Sequence, residues 1–132
     1  MIGLDTNVLV RYIAQDDPKQ SPKATRLVES LATDAPGYVS IVAVTELVWV
    51  LGSCYGSSKG EIGDVLRTLL RTKEIVVADA DTVWKAVRMF AESEAADFAD
   101  CLIECSGDEA GCEHTATFDR NAARHCGMRL VD

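Results

Sequence analysis

Short apolar runs separated by stretches with helical spacing constrain this chain more than any other feature. Met1-Ile2-Gly3-Leu4, Tyr38-Val39, Glu74-Ile75-Val76-Val77-Ala78, His114-Thr115-Ala116-Thr117-Phe118 and Met128-Arg129-Leu130-Val131 read as strands. Between them, apolar residues recur three and four positions apart. Examples are Val8, Leu9, Tyr12 and Ile13, then Ile62, Val65, Leu66 and Leu69. The helices expected run over 7–14, from a Ser21-Pro22 start, over 41–54 after Ser40, and over 59–71. Further helices follow Asp79 or Asp81 to about Ser93, span 98–110 after Asp97, and span 119–125. Strands that alternate with helices imply an α/β fold: a doubly wound, parallel central sheet of about five strands, flanked by helices.

The 132 residues suit one domain over 1–132, and 48% hydrophobic content suits a folded core. No repeat, linker or low-complexity tract interrupts it. No apolar run approaches the ~20 residues that span a bilayer, and Asp5 interrupts any secretory leader early. A cytoplasmic location with no membrane partner is expected, and the five irregularly spaced cysteines are expected to be reduced. A net charge of −8 argues against a surface that attracts nucleic acid everywhere. It does not exclude an acidic cleft loaded with cations.

Four carboxylates stand where the strand–helix pattern would bring them to one rim. Asp5 and Asp119 each follow a strand; Glu46 and Asp100 lie inside the helices that begin near Ile41 and Phe98. In open α/β sheets that rim, outside the carboxyl ends of the strands, is where ligands bind. Glu46 is framed by Val42, Ala43, Trp49 and Val50, so it either points out through a narrow exposed strip or requires a partner. Asp97 and Asp100, three apart, share a helix face with Glu104 one turn on. Helix capping and a solvated acidic stripe are the plain alternatives for Asp97, Glu104 and Asp119. Converging carboxylates repel one another unless a cation intervenes. Hard oxygen donors suit Mg²⁺ or Mn²⁺, and such ions support in-line hydrolysis at phosphorus.

Four segments in order resemble the successive motifs of PIN-domain ribonucleases. They are Leu4-Asp5-Thr6-Asn7-Val8-Leu9, Thr45-Glu46-Leu47-Val48-Trp49-Val50-Leu51, Asp97-Phe98-Ala99-Asp100-Cys101-Leu102-Ile103 and Thr117-Phe118-Asp119-Arg120. More narrowly, the chain resembles the VapC toxins of toxin–antitoxin pairs. The resemblance implies Mg²⁺- or Mn²⁺-dependent endonucleolytic cleavage of RNA, with one or two ions per site, a homodimer, and a basic antitoxin that blocks the site. It assigns Asp5, Glu46, Asp100 and Asp119 to the acidic quartet and Asp97 to an additional metal-binding acid. Thr6, Asn7 and Thr117 fall at supporting positions. Arg11, Arg120 and Arg124 are candidates to hold RNA phosphates or an acidic antitoxin segment.

Other chemistries fit less well. A non-catalytic PIN-like module that binds metal, RNA or a partner is the main alternative, although all four acids are present. Phosphatases that use an aspartyl nucleophile carry a second Asp two residues on, where this chain has Asn7. Cys101, Cys105, Cys112, His114, His125 and Cys126 contain no C-x₂-C pair, so buried thiols are expected rather than zinc. Trp49 and Trp84 lie in apolar helical runs and are expected in the core or a dimer interface.

Overall fold

A computed structural model describes every residue, Met1–Asp132, and contains seven helices and five short strands. The chain forms two compact units. One comprises Met1–Ser58 and Thr68–Ala78; the other comprises Lys59–Arg67 and Asp79–Asp132. The class is α/β with parallel pairing throughout the ladders, as the alternation implies. The five strands do not form one ladder, however: three pair in one sheet and two in another.

In the first unit, β1 (Ile2–Gly3), β2 (Gly37–Val39) and β3 (Ile75–Val77) pair in that order. Ile2 is in register with Gly37, and Gly37 with Ile75. Parallel neighbours need crossovers. Helices α1 (Thr6–Ala14) and α2 (Gln20–Glu29) join β1 to β2; α3 (Ile41–Cys54) and α4 (Lys59–Arg71) join β2 to β3. Leu4, Leu9, Val10, Val39, Leu47 and Leu51 are buried here. Ser40 caps α3 through a hydrogen bond from the Ala43 N–H, as its position before the apolar run predicts.

Helix α2 departs from the expected start at Ser21-Pro22. It begins at Gln20, because Asp17 Oδ1 accepts the N–H groups of both Lys19 and Gln20. Ser21 is buried and its hydroxyl instead accepts from the Asp17 N–H. Pro22 therefore occupies the third helical position, still within the first turn where N–H groups have no helical acceptor. Trp49, expected inside or at an interface, is 65% exposed. The period of α3 explains this: Ala43, Val44, Leu47 and Leu51 fill the buried face, which leaves Val42, Glu46 and Trp49 outward.

The second unit is built on α5 (Ala80–Glu92) and α6 (Phe98–Glu109), with Phe90 edge-on to Phe98 at 5.7 Å between ring centres. Strand β4 (Ala116–Thr117), helix α7 (Arg120–Cys126) and β5 (Arg129–Leu130) complete it. β4 is shorter than the expected 114–118, since only Ala116 and Thr117 pair, with Arg129 and Leu130. Gly127, at φ +79°, supplies the left-handed residue that ends α7 and turns the chain into β5. Asp79, expected as a cap for α5, lies in the left-handed region (φ 48°) and makes no side-chain cap.

Candidate active site

In the first unit the acids come from the end of β1 and the outer face of α3. Asp5 follows Leu4, whose N–H is held by the Tyr38 carbonyl at the sheet edge. Its Oδ1 accepts the Thr6 N–H at 2.8 Å and caps α1. Its other oxygen has no protein partner. Thr6 is buried, and its hydroxyl donates to Glu46 Oε1 at 3.2 Å, across 40 residues of sequence. Asp5, Thr6 and Glu46 are thus brought together, but Thr6 divides its work. Its backbone steadies Asp5, while its hydroxyl orients Glu46. Asn7 is exposed beside them on α1. Of the two readings open for Glu46, the exposed strip holds, with Thr6 as a partner at its edge.

Arg11 is engaged elsewhere in this unit. Its guanidinium donates to Gln20 Oε1 at 2.8 Å, to the Tyr55 hydroxyl at 3.3 Å and to Asp16 at 3.4 Å. Tyr55 in turn donates to Asp16 Oδ2 at 2.8 Å.

In the second unit, the charges of Asp97 and Asp119 bear on Asp100. Asp97 caps α6 by accepting the Asp100 N–H. Asp119 caps α7 through Oδ1, which takes the N–H groups of Asn121 and Ala122. The capping alternative is therefore correct as geometry, yet it uses one oxygen of each carboxylate and leaves the other open. Thr117 Oγ1 accepts the Asp119 N–H at 3.0 Å and fixes the turn that presents this acid. Asp100 is half-buried, and its carboxyl is raised above the usual range. Burial is the largest cause, followed by the charges of Asp97 and Asp119.

A set of contacts absent from any motif positions these acids. Lys59 donates to the carbonyls of Ser93 at 2.9 Å and Ala96 at 2.7 Å, and its ammonium lies 3.8 Å from the centre of the Phe90 ring. Asn121 Nδ2 donates to the Ala95 carbonyl at 2.8 Å, and Ser93 Oγ lies 2.8 Å from His125 Nδ1. Together they fix the loop that delivers Asp97. No local pattern points to Lys59, because its partners are backbone oxygens more than 30 residues away.

The donor chemistry of these residues fits a divalent cation: carboxylate oxygens, several without protein donors, and an Asp100 carboxyl that its neighbours oppose ionising. Glu104 Oε2, one turn beyond Asp100, is buried with no hydrogen-bond partner. No group of three or more His, Cys, Asp or Glu side chains is gathered at metal-holding distance. Mg²⁺ asks for less than such a cage, since it keeps several waters and takes one or two carboxylates from the protein.

Three of the five thiols are buried, and Cys112 departs from the expected burial. Cys101, Cys105 and Cys126 are inaccessible, whereas Cys54 and Cys112 are exposed. Cys101 Sγ lies 3.8 Å from Cys126 Sγ, and burial first, then Cys126, pushes the Cys101 thiol up to about 12.

The PIN domain family profile matches residues 2–128, nearly the entire length. The chain belongs to the PIN-domain family, whose members are generally nucleases. Among solved structures, it is similar to one described as the crystal structure of FitAcB from Neisseria gonorrhoeae. The two share 18% identity over 100% of this chain and 97% of that one, with a TM-score of 0.37. A likeness that distant does not bear on function. No curated protein matches the chain. No helix is long and apolar enough to cross a membrane.

Proposed function

We propose that this PIN domain is a metal-dependent endoribonuclease. The observation that carries the reading is the PIN-domain match over residues 2–128, and the acids Asp97, Asp100 and Asp119 of the second unit support it. Such an arrangement in a family of nucleases is suited to a cation. Bound Mg²⁺ or Mn²⁺, as one or two ions, would supply a Lewis acid and an acidified water at the scissile phosphate.

Asp5, Glu46, Asp100 and Asp119 are the metal-binding and catalytic acids in this reading, and Asp97 is an additional ligand. Thr6 orients Glu46 through its hydroxyl. Thr117 holds the backbone of Asp119. Asn7 supports the first acid from the exposed start of α1. Residues 1–132 are read as a single nuclease domain. Asp5→Asn and Asp100→Asn are each expected to remove Mg²⁺- or Mn²⁺-dependent cleavage of RNA, with circular dichroism unchanged. Full activity in both variants would sink the assignment.

The resemblance to VapC supports a toxin role, with a basic antitoxin as partner, a homodimer and a cytoplasmic location. Val42 and Trp49, exposed on the same face of α3, support association with another chain. Induced expression of wild type and Asp5→Asn, with mapping of RNA 5′ ends, tests the toxin role; equal growth and identical ends argue against it. Sedimentation velocity tests the dimer.

The alternative reading is a PIN-like module that binds metal, RNA or a partner without turnover. It predicts binding with no metal-dependent product at any enzyme-to-RNA ratio.

A further inference from the structure

Phe118 is the most exposed large apolar side chain of the protein, at 84%. It stands between Thr117 and Asp119, and it is not left out by disorder of the turn. Thr117 Oγ1 holds the Asp119 N–H, Asp119 Oδ1 holds those of Asn121 and Ala122, and Asn121 Nδ2 reaches the Ala95 carbonyl. The ring is therefore held in water by a turn fixed on its C-terminal side, so little conformational freedom is lost when a flat partner covers it.

Two residues on, a groove of about 660 Å³ opens along α7. Arg120, Asn121, Arg124 and His125 are among its lining residues, and no carboxylate is. That composition is unusual for a chain with 21 acids against 13 Lys and Arg. Arg120 and Arg124, four apart, share a helix face. Neither makes an ion pair.

An exposed aromatic ring two residues before the first arginine of a groove free of carboxylates offers what a single-stranded nucleic acid uses: a platform for an unstacked base and cations for the phosphates that follow. We infer that Phe118 stacks a base of single-stranded RNA and that Arg120 and Arg124 hold the adjoining phosphates. The inference rests on the nuclease reading for its choice of RNA, and it assigns binding roles that the acidic residues do not fill. Duplex RNA, whose bases are already stacked, has no face to offer Phe118.

The test uses the full chain in EDTA, so that binding is read without cleavage. The probes are a fluorescent 12-nucleotide single-stranded RNA and a blunt duplex of the same sequence, followed by anisotropy. Wild type is expected to prefer the single strand. Phe118→Ala should weaken single-strand binding by about tenfold or more, and Phe118→Trp should restore it, while Phe118→Leu should not. Arg120→Ala with Arg124→Ala should lower the slope of log K against log salt by roughly 1.4, the value for two phosphates on a single strand.

No single-strand binding by wild type, an unchanged affinity in Phe118→Ala, or full rescue by Phe118→Leu would each overturn the inference. So would an unchanged affinity accompanied by altered sedimentation, which would make Phe118 a protein contact. Binding that follows this pattern with no metal-dependent product defeats the nuclease reading and leaves this one standing. Cleavage by a Phe118→Ala variant of unaltered affinity and KM does the reverse.

Discussion

Thr6 shows how much one buried hydroxyl carries. Its carbon skeleton fills space at the start of α1, and its oxygen is tied to an exposed glutamate 40 residues away. Thr6→Val keeps the skeleton and removes the hydrogen bond, leaving Glu46 able to turn to solvent. Stability is expected to change by less than about 1 kcal/mol, because the freed carboxylate is not stranded. If Glu46 is a metal ligand as proposed, cleavage should fall by about tenfold, the usual cost of losing a group that orients such a ligand. Thr6→Ser should retain activity. A urea melt and steady-state cleavage of the same RNA check the pair; equal activity in Thr6→Val would mean that Glu46 needs no orienting. Glu46 itself was legible as an anomaly, since it is one of two polar residues among eleven. Its outward direction was not, because that depends on which face of α3 is buried.

At the scale of elements, the loop before α6 depends on a side chain outside every motif. Lys59, at the start of α4, satisfies the carbonyls of Ser93 and Ala96 and lies against Phe90. Lys59→Met preserves the aliphatic stem and strands two partly buried acceptors. It is expected to cost about 2 kcal/mol of unfolding free energy. Asp97 and Asp100 would lose their fixed approach, and under the proposed nuclease reading cleavage would fall with them. A denaturation midpoint unchanged from wild type would show that water replaces the ammonium. The helices were largely readable from spacing and caps: Ser40, Asp97 and Asp119 each sit one residue before a helix and each accept its N–H groups. Strand ends were less readable. A parallel ladder two residues long is set by its neighbour, and nothing local in His114–Phe118 distinguishes Ala116–Thr117 from its flanks.

For the whole molecule, the distribution of thiols gives a count that folding controls. Cys54 and Cys112 are exposed, whereas Cys101, Cys105 and Cys126 are enclosed. Two thiols are expected to react promptly with an aromatic disulfide reagent under native conditions, and five in denaturant. Prompt reaction of all five in the native protein would contradict the packing between α6 and α7. Burial also keeps Cys101 protonated, which makes it a poor nucleophile.

The sequence by itself determined the class, because alternation of apolar runs with helical periods admits few solutions besides a parallel α/β arrangement. It also marked Asp5, Glu46, Asp100 and Asp119 as candidate acids, because they stand after strands or among apolar helical residues. Tertiary structure decided the partition of five strands into ladders of three and two, and the contacts of the acids. It assigned the Thr6 hydroxyl to Glu46, bound Arg11 to Asp16 and Gln20, and left Arg120 and Arg124 unpaired. It also turned Trp49 and Phe118 outward. Those outcomes rest on partners far apart in sequence and on which helix face is covered. Periodicity specifies that a face exists; only packing determines what meets it.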